Sequence, residues 1–241
     1  MKKIIFILTG IIFISNALFA QINLNKVINN ASNAVNNNNK SSLTNEEVIK
    51  GLKEALTVGT NKSTASASVK DGFNKNPKIK IPFPPEAIKV KNTVETLGMK
   101  PQVDKFVLTL NRAAEEASKE AAPVFINAVK SMTVSDGFSI LKGADNAATK
   151  YLNDKTSVEL RQKFKPIVQR AIQKVEVTKY WKPIITRYNK VPGTNNVNPD
   201  LEEYVTLKAI EGLFTLLAEE ELKIRKDPAA RISDILKKVF G

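Results

Sequence analysis

Between Val205 and Ala218 apolar residues fall on nearly every side of a helix: Leu207, Ala209, Ile210, Leu213, Phe214, Leu216 and Leu217 leave no wide polar face. A helix that is apolar all round has to be enclosed by others. The segment that contains it, Asp200 to Lys226, is therefore expected in the middle of a bundle, and Asp227-Pro228 stops it because proline cannot supply the next helical N–H. The rest of the chain must then provide a surround of amphipathic helices.

Several segments have that character. Thr44 and Glu47 carry capping-box spacing, and Val48, Leu52, Ala55 and Leu56 recur at helical intervals, which predicts a helix from Asn45 to about Val69. Helices follow from Pro85 to Leu97, with Gly98 as a left-handed cap, and from Pro101 to about Glu120, with Val103, Phe106, Val107, Leu110, Ala114 and Ala117 on one face. Pro123 opens another. Thr133 and Asp136 repeat the capping pattern for a short helix ending near Gly143, and Ala144 to Leu152 supplies one more. Thr156 to Val175 is longer and carries Pro166, which should kink or split it. The segment Lys179 to Tyr188 holds the sole tryptophan, Trp181; Gly193 to Pro199 is a loop, and Ala229 to Phe240 a short closing helix.

Asp71 to Pro85 breaks this pattern with Gly72, Pro77, Pro82, Pro84 and Pro85. Within it Lys78-Ile79-Lys80-Ile81 alternates, so the two lysines share one side and the two isoleucines the other. The segment is expected to be extended, either as one edge strand open to a pairing peptide or as a proline-fixed connector over the core. The turn and edge rules favour the connector. No internal repeat emerges. The expected fold is all-α, an irregular multi-helix bundle around a buried C-terminal helix with one short extended proline-rich segment, forming a single domain over residues 44–241.

Ahead of that domain, Lys2 and Lys3 precede an apolar run from Ile4 to Ile14 and a small-residue exit at Ala17-Leu18-Phe19-Ala20, the pattern of a secretory signal peptide over residues 1–20. The run is too short to span a bilayer as a helix. Residues 21–43 are dominated by asparagine, including Asn36 to Asn39, and read as a flexible tether or weak helix. The leader predicts export to the periplasm or outside the cell. Its removal takes away Lys2 and Lys3 and no acid, so the formal charge falls from +13 to +11.

The chain contains no histidine and no cysteine. That removes the Ser-His-Asp triad, the cysteine nucleophile, the structural zinc and the Glu-x-x-His di-iron site. Disulfides are also excluded, so stability must come from an apolar core. No cofactor and no resident metal is expected.

The closing block LEEYVTLKAIEGLFTLLAEEELKIRKDPAARISDILKKVFG, with NPKIKIPFP, NRAAEEA and FKPIVQRA in the same order before it, resembles a family of secreted bacterial proteins catalogued as domain of unknown function 4197. The resemblance covers roughly Glu47 to Gly241. It implies an exported, mainly helical protein and carries over no catalytic residues. The asparagine-rich segment lies outside it.

Two sets of residues are candidates for function. On the buried helix, Tyr204, Lys208, Glu211, Thr215 and Glu219 recur at spacings of three or four and so form one polar stripe. Lining a cavity, Lys208 and Glu211 would orient a polar ligand group while Leu207 and Phe214 enclose its apolar part; facing water, the stripe is the outside of the helix, the reading the pattern alone favours. The second set is carboxylate: Glu115 and Glu116 on one helix, Glu219 and Glu220 on another. Opposed carboxylates do general acid and base work or hold calcium or magnesium. The spacings also predict a surface pair between Glu221 and Arg225 and a pair between Arg112 and Glu116.

Three functions stay open at this point. The first is non-enzymatic binding of an amphipathic ligand, or of an envelope protein, beside the buried helix. The second is a carboxylate-based hydrolase or lyase acting on a cell-envelope substrate. The third is peripheral binding to anionic surfaces, for which the basic, amphipathic ISDILKKVFG offers one contact. Export argues against nucleic acid, and the interspersed charges suit solvated helix faces.

Overall fold

Three of the helices among the described residues begin at a side-chain cap, at Thr44, Thr133 and Asp200. The computed structural model describes residues 43–240 apart from Val175 and Asn196; the expected leader and the asparagine-rich segment up to residue 42 lie outside the described residues. Helix α1 (Asn45–Ser68) opens with the expected capping box: the Thr44 hydroxyl accepts the Glu47 N–H at 3.2 Å, and the Glu47 carboxylate accepts the Thr44 N–H at 2.9 Å. A 3-10 turn at Pro85–Ala87 leads into α2 (Ile88–Thr96). Gly98 ends that helix at φ +82°, the left-handed conformation that glycine adopts without a Cβ penalty, and lets the Met99 N–H return to the Val94 carbonyl at 3.0 Å.

Then come α3 (Lys100–Ser118), α4 (Ala121–Ser131) and α5 (Val134–Lys142), the last capped by the predicted Thr133 and Asp136 box. Helix α6 (Ala147–Lys174) and helix α7 (Val177–Tyr188) precede the Gly193 loop. Asp200 caps α8 (Leu201–Lys226) by accepting the Glu203 N–H at 2.9 Å, and α9 (Asp234–Phe240) closes the chain after a 3-10 turn at Pro228–Ala230. Among the described residues there are nine α-helices and no strand. No helix among them is long and apolar enough to cross a membrane.

Helix α8 packs against α6, α1 and α3, as its apolar circumference requires. Val205, Ala209 and Leu213 are fully enclosed, and Phe214 meets Phe125 of α4 edge-on with ring centroids 5.4 Å apart. Trp181 brings α7 onto α3 by stacking near Phe106 at 5.0 Å, with Phe83 of the proline-rich connector completing the aromatic cluster. Helix α9 rests on α1 at Gly51, where a Cβ would come within 2.8 Å of Val239 Cγ2.

Two expectations about elements need correction. Ala144 to Leu152 and Thr156 to Val175 are not separate helices: α6 runs unbroken through both. Asn153, Asp154 and Lys155, the polar residues between them, are simply an exposed stretch of its surface, and Lys150 pairs with Asp154 at 3.3 Å across one turn. Pro166 does not split the helix; it lies on the exposed side, where water can reach the carbonyl left without a partner. The edge strand is also absent. Ile79 and Ile81 do point inward and Lys78 and Lys80 outward, but the backbone of Ile81 is paired by a side chain. Its N–H donates to Asn111 Oδ1 at 2.8 Å and its carbonyl accepts from Asn111 Nδ2 at 2.9 Å. One amide does the work of a neighbouring strand and leaves no free edge at that residue.

Candidate functional site

The polar stripe on α8 lies along the line where the connector meets the helix. At its start the Tyr204 hydroxyl donates to the Pro82 carbonyl at 3.1 Å; at its end Glu219 forms an ion pair with Lys78. Between them Gly212 lets the connector approach, since a Cβ there would sit 2.7 Å from the Phe73 ring and 3.2 Å from Ile79. Loss of water raises the Tyr204 phenol to about 12, and the negative charges of Glu86 and Glu211 push it the same way. Lys208 and Glu211, in the middle of the stripe, are paired at 2.6 Å and largely exposed, and Thr215 turns its hydroxyl back to the Glu211 carbonyl at 3.0 Å. The two ends of the stripe, Tyr204 and Glu219, are thus tied to the connector, and Glu211 and Thr215 in its middle border a groove.

Beside it, between α6 and α8, runs an open groove of about 610 Å³. Ile210 and Phe214 form its apolar floor, Leu207 and Val158 stand at its sides, and Glu211, Thr215, Asn153, Ser157 and Arg161 supply polar edges. Val158 of α6 is 72% exposed and Leu207 of α8 48%, whereas Val205, Ala209 and Leu213 of α8 are fully buried. Leu207 thus departs from the enclosure its helix pattern predicts: it looks into the groove. A second depression shares Val158 and Arg161 and continues the groove past Lys165 to Gln169 and Glu202. The result is an elongated surface channel, apolar at one end and charged at the other.

The four candidate carboxylates are each engaged by partners of their own. Glu115, 4% exposed, accepts the backbone N–H groups of Phe73 and Asn74, both at 3.2 Å, and pairs with Arg112 at 2.6 Å. Arg112 also reaches Asp71 at 2.7 Å. Asp71 sits at φ +70° and is held well below the ordinary carboxylate range, first by the hydrogen bond from Asn74 and then by those from Arg112 and Lys75. This cluster fixes the turn that launches the connector. Glu116 faces the surface between Lys119 at 2.7 Å and Lys174 at 3.1 Å, which lower its pKa in that order. Arg112 therefore pairs with Glu115 and not with the expected Glu116, because the buried side of α3 is where the guanidinium finds a second carboxylate. Glu220 joins Lys223 and Lys62. Among the described residues no three acidic side chains gather as a metal-holding group.

The expected surface pair of Glu221 and Arg225 is also buried. Glu221 accepts the N–H groups of Ala148 at 2.9 Å and Thr149 at 2.8 Å, and the Thr149 hydroxyl at 2.8 Å, so it caps α6 from another helix. Arg225 binds Glu221 at 2.8 Å and donates to the Ile140 carbonyl at the end of α5. Nothing in the i,i+4 spacing revealed those distant partners.

Residues 42–241 match the model of a family described as a protein of unknown function, DUF4197. No curated protein and no solved structure matches the chain.

Proposed function

The chain belongs to the DUF4197 family, and from the groove between α6 and α8 we propose that it is a non-enzymatic binding protein for an amphipathic ligand. The observation that carries the reading is the uncovered apolar strip itself: Val158 of α6 and Leu207 of α8 stand exposed on either side of Ile210 and Phe214 in one open groove. Apolar side chains in a concave strip with polar edges suit the body of an amphiphile, with its polar end at the Arg161 and Glu211 side. Lys208 holds Glu211 in place through their ion pair and so contributes to the polar edge indirectly. From the signal-peptide pattern over residues 1–20 we propose that the protein acts outside the cytoplasm. An apolar face of an envelope protein is the alternative occupant.

A fluorescent fatty-acyl probe tests this reading. The wild-type protein is expected to enhance its emission saturably. Leu207→Glu with Val158→Asp, both at exposed positions, should abolish the saturable signal without changing the unfolding midpoint, and Lys208→Ala with Glu211→Ala should weaken it. Equal probe binding by the well-folded Leu207→Glu, Val158→Asp variant would refute the site.

A further inference from the structure

The motifs discussed so far leave one charged surface unexplained. On α7, Lys179, Lys182, Pro183, Thr186 and Arg187 recur at helical spacing, and Lys190 continues the same face past the helix end. With Met99, which precedes α3, they line a broad, open depression of about 620 Å³. All four cations are exposed. Lys179 has Glu176 beside it at 2.9 Å, but Lys182, Arg187 and Lys190 form no ion pair among the described residues. Some exposed cations elsewhere are matched, as Lys100 with Asp104, Lys163 with Glu159 and Lys226 with Asp145, and others, such as Lys89 and Lys105, form no ion pair among the described residues; what marks the α7 cations is that they line one depression together.

We propose that this face of α7 docks the protein onto the phosphate headgroups of an anionic lipid bilayer. The cations from Lys179 to Lys190 are separated by eleven residue steps, about 16 Å along a helical path, so they can meet several headgroups at once. They are solvent-facing and the depression has no buried donor, so the surface suits a many-charged plane better than one enclosed phosphate. Pro183 lies exposed within the basic face, while Met99, at its edge, is half-buried against the core. A single-stranded nucleic acid would want an aromatic platform to stack on. Of the rings on α7, Trp181 and Tyr188 are 7% and 5% exposed, Trp181 facing inward against Phe106 and Phe83, and Tyr180 is half-buried and does not line the depression. This site is separate from the groove between α6 and α8 and does not depend on it.

The test is co-sedimentation of the purified protein with vesicles of 30% phosphatidylglycerol in phosphatidylcholine, against phosphatidylcholine alone. Binding is expected only to the anionic vesicles and should weaken steeply with salt. At about fivefold per cation near an anionic surface, Lys182→Gln with Lys190→Gln should lower the partition coefficient roughly 25-fold. The control is Lys237→Gln with Lys238→Gln on α9, which removes the same charge elsewhere and should change binding by less than about twofold. An equal loss in both variants would overturn the proposal in favour of net charge alone. Displacement by low-millimolar inorganic phosphate at constant ionic strength would overturn it in favour of a small-anion site. Binding to dextran sulfate without binding to anionic vesicles would overturn it in favour of a soluble polyanion.

Discussion

Replacing Glu221 by alanine should be among the most damaging single changes in the described chain. The carboxylate takes three hydrogen bonds from the first turn of α6 and one from Arg225 Nε, with Arg225 Nη2 in ion-pair contact at 2.8 Å, and the side chains of the pair are 6% and 11% exposed. Truncation leaves a buried guanidinium without its counter-charge and the N–H groups of Ala148 and Thr149 without acceptors. Breaking one side of a buried pair costs about 3–5 kcal/mol. For a domain of this length each kcal/mol lowers the melting temperature by about 2–4 °C, so a fall of roughly 6–20 °C is expected. Glu221→Gln keeps the shape and an acceptor oxygen but loses the charge, and should cost about 1.5–3 kcal/mol. Arg225→Met should cost less than Glu221→Ala, because the carboxylate keeps its three bonds to α6. Urea unfolding followed by circular dichroism, arranged as a double-mutant cycle with Glu221→Gln and Arg225→Met, would give the coupling. A Glu221→Ala variant within about 0.5 kcal/mol of wild type would refute the reasoning, since that is the behaviour of an exposed pair.

Other outcomes follow from the connector. Asn111→Ala strands the buried N–H and carbonyl of Ile81, each costing about 1–3 kcal/mol, and the Ile81 amide should lose hydrogen-exchange protection before those of α3. Asp71→Asn tolerates the left-handed backbone but loses the charge that Arg112 and Lys75 meet. Because the folded carboxyl titrates below its unfolded value of about 3.9, its contribution is complete at neutral pH and is lost as pH falls below that value, so urea midpoints of variant and wild type should converge at acid pH. Tyr204 should ionise near pH 12 by absorbance titration, while an unperturbed phenol ionises near 10; the folded state holds the proton more tightly, so this contribution is present below about pH 10 and fades as pH rises towards 12. Glu211→Gln should lower that transition.

Local chemistry was legible in the sequence and distant contact was not. Thr44 with Glu47 and Thr133 with Asp136 are three-residue patterns whose partners lie within one helical turn, and both form as read. Gly98 and Pro228 likewise act on their immediate neighbours. The enclosure of α8 was visible because an all-round apolar pattern has few solutions. Asn111 and Glu115 could not be interpreted in the same way: their partners lie at residues 73, 74 and 81, far outside any helical spacing. Thus NRAAEEA reads as a possible acid–base cluster and is a clamp on NPKIKIPFP. The stripe on α8 was grouped correctly by periodicity, but periodicity assigns an angle and not a neighbour. Whether Glu219 faces water, a ligand or Lys78 depends on where the connector crosses.

The central claim is that the groove over Ile210 and Phe214 holds an amphipathic molecule. Native mass spectrometry of the protein isolated from its own cells, beside the Leu207→Glu, Val158→Asp variant isolated in the same way, tests it most directly. The account predicts a stoichiometric adduct on the wild type, extractable into organic solvent, and its loss from the variant. An adduct of equal mass and abundance on both proteins, or a wild type that is empty and does not take up fatty-acyl probes, would contradict it.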